Sequence, residues 1–305
     1  MGPPFLCTMK FGKVQSVTGI DLSLPPDHPD TQRVLQARKR SVPLRVHVGC
    51  AKWNRKDLSN FYPRGVKDEL VYYASQFNAI ELNATFYRFF PPEQFATWAR
   101  KVPEGFIFSP KVTQDISHWK RLSDSDALVA GYTEAVRHLG DRLGPVFLQL
   151  NETFKPKEFD RVREFLANWP DDIPLAIEFR HTDWYNEGHV AEELYRLLEK
   201  HHVMNIITDT AGRRDLLHMR LTTPSAFVRY VGANDPTSDR TRLDDWVERL
   251  KSWSEQGLQE VFFYVHQNHE LESPLLAAEF IKKLNQALGI RLKVPVTLDG
   301  DLFGR

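Results

Sequence analysis

The sequence has few cysteines, no net charge and no long apolar run. Only Cys7 and Cys50 occur among the 305 residues, which argues against a disulfide framework. Forty basic residues balance forty acidic ones, so the chain lacks the basic field of a dedicated nucleic-acid-binding protein. No apolar stretch is long enough to span a membrane, and the start, MGPPFLCTMK, does not resemble a secretory signal. We therefore expect a cytoplasmic protein.

The length of the chain favours one large domain over two independent ones. A (β/α)8 barrel typically needs about 250 residues plus insertions, which this chain supplies. Residues 1–42 show little periodicity and contain several prolines, which predicts an irregular N-terminal arm. A short helix around Thr31–Arg40 is compatible with that segment. Residues 43–305 are predicted to form the single barrel domain.

Short apolar runs recur along residues 43–305, and nearly every one ends in a charged or amide side chain. The eight runs are Leu44–Cys50, Asn78–Thr85, Gly105–Lys111, Pro145–Asn151, Pro174–Arg180, Met204–Asp209, Ala226–Gly232 and Glu260–Asn268. Repeated strand–helix units imply a parallel sheet, and eight units suggest closure into a barrel. The predicted fold is therefore α/β, a parallel eight-stranded TIM-like (β/α)8 barrel. An open doubly wound sheet is the alternative, although no G-x-G-x-x-G motif follows the first run.

Amphipathic patterns separate the runs. Apolar residues spaced by three and four positions predict helices over Val66–Phe77, Glu93–Val102, Asp124–Leu139, Lys157–Trp169, Val190–His201, Leu243–Trp253 and Leu275–Leu288. Ser123 is the predicted N-cap of the third of these helices. The link Thr210–Ser225 is the exception, since its sequence has room for one short turn at most.

Polar residues at the ends of the runs are the candidate site. Strand side chains alternate between two faces, so Glu81 and Asn83 share one face, as do Glu178 and Arg180. Because the outer face of a barrel strand packs on helices, we expect these polar side chains to point inward, near the mouth where barrel active sites lie. The same reasoning adds the following residues: Lys111, Gln149, Asp209, Arg229 and His266.

Two interpretations of this polar set compete. One is a purely internal salt-bridge network, in which Glu81, Glu178 and Asp209 neutralise three cations. The other is a site for a small anionic or phosphorylated ligand, with sugar-like ligands included. The three cations, Lys111, Arg180 and Arg229, would then clamp the anion. We favour the site because polar strand ends in a barrel are disproportionately functional.

The second interpretation predicts an enzyme, with a hydrolase or lyase as the expected class. Glu81 and Glu178 would act as general acid and base. Asn83 and Gln149 would bind substrate hydroxyls, and Asp209 and His266 would line the same mouth.

Two further functions stay open. A metal-dependent hydrolase or isomerase would use Glu81, Glu178, Asp209 and His266, although no H-x-H or H-E-x-x-H motif occurs. We therefore expect no cofactor. A non-catalytic module that binds a metabolite or nucleic acid is the other alternative, and the zero net charge does not favour nucleic acid.

Aromatic residues crowd the loops that follow the first, second and fifth runs. They are Trp53, Phe61, Tyr62, Phe86, Tyr87, Phe89, Phe90, Trp184 and Tyr185. Most are expected to pack the loops, and one or two are expected to stack on a sugar or a base.

At these residues the chain resembles the YecE-like family, known as domain of unknown function 72. The resemblance rests on VHVGCAKW (Val46–Trp53), FNAIELNATFYRFFP (Phe77–Pro91), FIFSPK through ISHWKRL (Phe106–Leu122), LGPVFLQLN (Leu143–Asn151), AIEFRHTDW (Ala176–Trp184) and FVRYVG (Phe227–Gly232). It spans roughly residues 44–290, and its E-x-N-x-T-F-Y and E-F-R-H-x-x-W segments are specific. The resemblance implies a TIM-like barrel and no established reaction.

The chain also departs from the family pattern around the mouth. The family commonly reads G-T-S-G-W where Gly49–Trp53 stand, two prolines at Asn151 and Glu152, and H-G at Val231 and Gly232. Its usual N-N pair is replaced at His266–Asn268. The residues that match, Glu81, Asn83, Lys111, Gln149, Glu178 and Arg180, are the strongest site candidates.

Overall fold

The computed structural model of the chain describes residues 12–37, 43–58 and 60–297. The predictions that concern residues 1–11, which include Cys7, residues 38–42 and residues 298–305 lie outside the described residues. None of the helices in the three described ranges is both long and apolar enough to cross a membrane.

Each of the eight predicted apolar runs contains a β-strand, and the sixth contains two. The strands are β1 (Arg45–Cys50), β2 (Ala79–Leu82), β3 (Ile107–Pro110), β4 (Val146–Gln149), β5 (Leu175–Glu178), β6 (Met204–Asn205), β7 (Ile207–Thr210), β8 (Ser225–Gly232) and β9 (Glu260–Gln267). Ile206 separates β6 from β7, and its N–H donates to the carbonyl oxygen of Ile177 in β5 at 2.9 Å. The sixth run therefore changes its pairing partner at this residue.

All pairings between these strands are parallel, in two sheets. One sheet has the order β3-β2-β1-β9-β8-β7, and the other has the order β4-β5-β6. Besides the contact at Ile206, isolated bridges from Phe108 to Leu143 and from Lys111 to Phe147 bring the two sheets together. The prediction of an α/β fold with parallel strands is confirmed. Closure into one eight-stranded barrel stays a prediction, because the strands pair as two separate sheets.

Helices alternate with the strands, as the apolar spacing predicted. They are α1 (Pro29–Gln36), α2 (Glu69–Gln76), α3 (Ala84–Tyr87), α4 (Pro92–Lys101), α5 (Asp126–Arg137), α6 (Phe159–Asn168), α7 (Asp183–Asn186), α8 (Gly188–Lys200), α9 (Pro236–Gln256) and α10 (Ser273–Leu288). Short 3₁₀ segments and one π-helical turn (Asp115–Trp119) lie between them.

Two helix starts differ from the predictions. Helix α5 begins two residues late, and Ser125 rather than Ser123 occupies its N-cap. Helix α9 begins at Pro236, about two turns before Leu243, where the predicted apolar stripe begins. The Asp235 side chain caps this helix by accepting a hydrogen bond from the Ser238 N–H at 2.8 Å. Proline is well suited to the first helical position, because a backbone N–H at that position would have no partner within the helix.

The two faces of the strands bury different material. One face packs against the helices and forms the main apolar core. The other face carries a smaller apolar cluster of strand residues, which are Ala79, Phe147, Ala176, Met204, Ile206, Phe227, Phe262 and Tyr264. Since side chains alternate, the residue two positions after each of these lies on the same face, closer to the carboxyl end of the strand. The polar site residues occupy several of those positions.

The N-terminal arm contributes a helix to the outer layer. The link between β7 and β8 contains only the 3₁₀ segment Ala211–Leu216, as its sequence predicted. Helix α1 packs instead on this side of the molecule. The Thr31 hydroxyl donates to the Met219 carbonyl at 2.7 Å, and Arg33 binds Glu199 of α8 at 2.8 Å. Helix α1 also contacts α9. Within residues 12–37, α1 is the helical part of the arm, and its first turn begins at Pro29 after the cap residue His28.

We expect Leu35→Ala, in α1, to lower the free energy of unfolding by about 2–5 kcal/mol, because Leu35 is fully buried in the main core. Urea denaturation of the full chain measures this. Gln32→Ala on the exposed side of the same helix is the control, with an expected change within about 0.5 kcal/mol. Equal stability of the two variants would contradict a structural role for α1.

Candidate functional site

A single guanidinium lies at the centre of the polar cluster. Arg229 in β8 donates from Nε to Glu81 Oε2 and from Nη2 to Glu81 Oε1, both at 2.9 Å. Its Nη1 donates to Glu178 Oε2 at 2.7 Å. All three side chains are buried. Arg229 therefore joins a carboxylate from β2 to a carboxylate from β5, which belongs to the other sheet.

Glu178 connects this centre to Lys111. Arg180 Nε donates to Glu178 Oε1 at 2.6 Å, and Gln149 Nε2 donates to Glu178 Oε2 at 2.9 Å. The amide oxygen of Gln149 in turn accepts a hydrogen bond from Lys111 Nζ at 2.7 Å. A continuous chain of hydrogen bonds thus runs from the end of β3 to the end of β5.

Glu81 connects the centre to His266. Asn83 Nδ2 donates to Glu81 Oε1 at 2.7 Å, and His266 Nε2 lies 3.0 Å from Glu81 Oε2. The other ring nitrogen of His266 lies 3.7 Å from Glu270 Oε1. Burial opposes protonation of this imidazole, but the charge of Glu81 outweighs it and raises the pKa of His266 to about 9. The imidazole is therefore cationic at neutral pH.

Both glutamates of the centre are ionised. Burial alone would raise their pKa values, but the neighbouring cations hold the pKa of each carboxyl below its usual range. For Glu81 these cations are Arg229 and His266, and for Glu178 they are Arg180 and Arg229. A carboxylate in this state is a poor proton donor and a weak base at neutral pH.

Lys111 is the group whose protonation is balanced near neutrality. Burial, followed by the charges of Arg229 and Arg180, lowers the pKa of its amine to about 7. The Nζ atom lies 4.2 Å from the ring centroid of Phe86 and 5.7 Å from that of Phe147. The amine therefore has apolar rings and two repelling guanidinium charges near it, and it lacks the water that would stabilise an exposed ammonium.

The cluster is close to electrical balance without Lys111. Arg180, Arg229 and His266 are cationic, and they face three carboxylates. These are Glu81, Glu178 and Glu270, whose pKa is lowered despite its burial, chiefly by its contact with His266. His118 stays neutral, because burial and the nearby Lys111 and Arg180 charges lower its pKa to about 4. The proton on Lys111 therefore decides whether the cluster is neutral or carries one net positive charge.

Asp209 is the one predicted site residue that the structure places elsewhere. Its carboxylate accepts hydrogen bonds from Arg242 Nη2 at 2.7 Å and from Trp246 Nε1 at 2.8 Å, both on α9, and it also pairs with Arg214. It therefore faces the helices. The physical reason is strand alternation, since Asp209 shares a face with Ile207 rather than with Ile206 of the inner cluster.

The four residues of the metal alternative do not lie together, because Asp209 faces α9. Within the described ranges, no three His, Cys, Asp or Glu side chains are grouped so that they could hold a metal ion. The two glutamates of the predicted set are bound to Arg229, whose charge would oppose a nearby metal ion.

Thr208 is a site residue that the sequence reasoning missed. It pairs in register with Arg229 and lies on the same inward face. Its hydroxyl is buried, and no hydrogen-bond partner for it is found among the described residues. Counting two positions forward from Ile206, on the same face of the strand, identifies it. Buried hydroxyls normally have a partner, and either a water molecule or a ligand would satisfy this one.

The loop aromatics separate into two groups. Phe61, Tyr62, Phe90 and Trp184 are buried in the main core, as expected for loop packing. Tyr87 is 71% exposed, and together with Trp53 it lines a pocket of about 210 Å³. Glu81 and Asn83 line the same pocket, which therefore borders the charged cluster at Glu81.

The chain is thus an α/β protein whose parallel strands carry a buried, paired set of charges near their carboxyl ends. A sequence model for the family described as "Protein of unknown function DUF72" matches residues 47–297. The chain belongs to this family, and the resemblance to YecE-like proteins is confirmed.

Two UPF0759 proteins are similar to the chain. The chain is 26% identical to the UPF0759 protein YecE of Escherichia coli (strain K12) over 264 residues, which cover 80% of this chain and 94% of that protein. It is 29% identical to the UPF0759 protein YunF of Bacillus subtilis (strain 168) over 46% of this chain and 52% of that protein.

Solved structures of DUF72 family proteins share the fold. The structure from Thermotoga maritima MSB8 superposes with a TM-score of 0.65 at 24% identity, over 79% of this chain and 99% of that chain. The one from Enterococcus faecalis V583 gives a TM-score of 0.64 at 20% identity, over 82% and 99%.

His266 gives the cluster a pH dependence that can be measured. Its folded-state pKa of about 9 lies above the value of about 6.5 in an unfolded chain. Its stabilising contribution is therefore complete below about pH 6.5 and is lost as the pH rises through about 9. Lys111 affects stability in the opposite direction, because its folded-state pKa is lowered to about 7. The free-energy cost of burying its charge is therefore relieved as the pH rises above about 7. Only a comparison with a variant isolates the histidine.

We therefore expect the stability difference between the wild type and His266→Gln to shrink by roughly 2–3 kcal/mol between about pH 6 and pH 9.5. Guanidinium denaturation at both pH values measures it. His138→Gln is the control, since His138 lies on the surface 3.9 Å from Glu134. A difference that does not change with pH would show that His266 is not held cationic.

Proposed function

We propose that the protein is an enzyme that acts on a small anionic or phosphorylated substrate, with sugar-like substrates included. The site is the buried charged cluster at the carboxyl ends of the strands. The observation that carries the proposal is Lys111, a buried amine with a pKa of about 7 that is linked by hydrogen bonds to the cluster. A group that is half protonated near neutral pH is suited to proton transfer.

The proposal includes a TIM-like (β/α)8 barrel as the architecture. The first strand, β1, pairs with both β2 and the last strand, β9. The isolated bridges between β3 and β4 and the contact at Ile206 join the remaining edges. With β6 and β7 counted as one interrupted strand, this order supports a ring of eight. A barrel of this kind carries its active site at the carboxyl ends of its strands.

The roles of the charged residues follow from their protonation. We assign proton transfer to Lys111 rather than to Glu81 or Glu178, because the arginines hold both carboxylates in the ionised form. The glutamates then position Arg180 and Arg229. Asn83 and Gln149 remain the candidates for binding substrate hydroxyls. A base of this kind fits a lyase-type reaction, in which a proton is removed beside a carbonyl group.

Arg180 is the cation assigned to the anionic group of the substrate. Its side chain is 19% exposed, compared with 7% for Arg229, so it is more accessible from the mouth. The fork of a guanidinium matches a phosphate or a carboxylate. We place the protein in the cytoplasm, on the ground that cysteine is scarce and that Cys50 is a free, buried thiol.

We expect the protein to exchange a carbon-bound proton of its substrate with solvent, with a rate that rises with pH around a midpoint near 7. Proton NMR in D₂O measures this for a panel of phosphorylated and carboxylated sugars, ketones and aldehydes. Exchange should be lost in Lys111→Met and retained in Lys101→Met, since Lys101 is a surface lysine paired with Asp68 at 2.7 Å.

Two outcomes would contradict the proposal. One is exchange that survives in Lys111→Met at the wild-type rate. The other is the absence of exchange for every member of the panel together with measurable binding of some of them. The second outcome would instead favour a non-catalytic metabolite-binding module.

A further inference from the structure

We propose that Lys111 is a nucleophile that forms an imine with a substrate carbonyl, so that the substrate is an aldehyde or ketone that also carries a phosphate or carboxylate. This inference rests on the proposed function and specifies its substrate. Three features of the described residues support it: the surroundings of the amine, the position of the cations and the unsatisfied hydroxyl of Thr208.

The amine lies in surroundings that suit an imine. Lys111 is 7% exposed, and the ring of Phe86 lies over its Nζ atom at 4.2 Å. The ring of His118 lies 5.0 Å from that of Phe86. These rings limit the access of water, which would hydrolyse an imine. Gln149 accepts a hydrogen bond from the amine at 2.7 Å and orients it.

The cations are placed for a substrate that carries both a carbonyl and an anionic group. Lys111 and Arg180 are connected through Gln149 and Glu178 in three hydrogen bonds. A short substrate would be held at one end by Arg180 while its carbonyl faces the amine. Desolvated lysines close to another cation are the lysines that serve as nucleophiles in enzymes.

Thr208 indicates that the same interior is built for an oxygen-rich molecule. Its buried hydroxyl lies beside Arg229 and has no hydrogen-bond partner among the described residues. A hydroxyl or carbonyl oxygen of the substrate would satisfy it. The pocket lined by Trp53, Tyr87, Glu81 and Asn83 borders the same cluster, because Arg229 binds Glu81.

The chemistry balances without a further reactant. The lone pair of the neutral amine attacks the carbonyl carbon and forms a carbon–nitrogen bond. Both carbon–oxygen bonds of the carbonyl break and the oxygen leaves as water, and the two protons of that water balance the two lost by the amine nitrogen. The resulting imine, once protonated, draws electrons from the adjacent carbon–hydrogen bond, which makes the exchange of that proton easier than in the free carbonyl compound. Because Lys111 is then covalently bound, a water molecule rather than the lysine accepts that proton.

Reductive trapping tests the inference. The full chain is incubated at about pH 7 with sodium cyanoborohydride and one of three probes, which are dihydroxyacetone phosphate, glyoxylate and uncharged glycolaldehyde. Hydride reduces an imine to a stable secondary amine, and peptide mass spectrometry locates it. We expect Lys111 to be modified at least about tenfold faster than Lys52 or Lys101 by an anionic probe, a difference of about 1.4 kcal/mol in activation free energy. Modification of Lys111 that is no faster than that of these surface lysines would overturn the imine.

Arg180→Gln keeps the amine and removes the proposed anion contact. We expect this variant to lose most of the preference of Lys111 for dihydroxyacetone phosphate over glycolaldehyde, and an unchanged preference would contradict the placement of the anion. The variant also keeps the test decisive if Lys111→Met does not fold. Proton exchange that requires Lys111 but leaves no trapped product would overturn the imine and leave the proposed function standing.

Discussion

The structure depends on one buried guanidinium. Arg229 on β8 binds Glu81 of its own sheet through two nitrogens and Glu178 of the other sheet through the third. Removing an arginine and two carboxylates from water costs several kcal/mol for each ion, and this cost is offset only while all three stay in contact. The two sheets are therefore held in one arrangement by side chains as well as by their few backbone contacts. The same constraint fixes both glutamates as ionised partners, which leaves the remaining titratable groups to provide any chemistry.

Lys111 is the group that this arrangement leaves in excess. The nearby carboxylates favour its ammonium form, while burial and two guanidiniums oppose that form and prevail. A salt-bridge network that served only to fill the interior would be equally stable with an apolar side chain at this position, since buried ion pairs add little net stability. The pKa of the Lys111 amine instead lies near neutral pH. The same inward face of the strands also contains the buried hydroxyl of Thr208, which has no hydrogen-bond partner among the described residues. Stability alone does not account for that combination, which supports the proposed role of Lys111 in proton transfer.

The sequence predicted the strands, most helices and most of the polar cluster, because these follow from local rules. Strand alternation identifies Glu81, Gln149 and Glu178 once one inward residue on each strand is known. The same rule, applied to the sixth run, excludes Asp209 and selects Thr208, whereas the polar residue at the end of the run is Asp209. The hydrogen-bond partners of the site residues could not be predicted from the sequence, for a different reason. Arg229 and Glu81 are separated by 148 residues, and only the fold brings them into contact. Helix α1 is a similar case, because it packs beside the link between β7 and β8, which contains a 3₁₀ segment and no α-helix.

The charge balance also determines how pH would act on the proposed reaction. An anionic substrate that enters a cluster with equal numbers of cations and carboxylates is bound best when Lys111 is protonated, because the cluster is then positive. The attack on a carbonyl needs the same amine in its neutral form. These opposite requirements are met together only near the pKa of the lysine, where both forms are populated. A pKa of about 7 is therefore the value at which a single amine can help to attract the anion and still act as nucleophile.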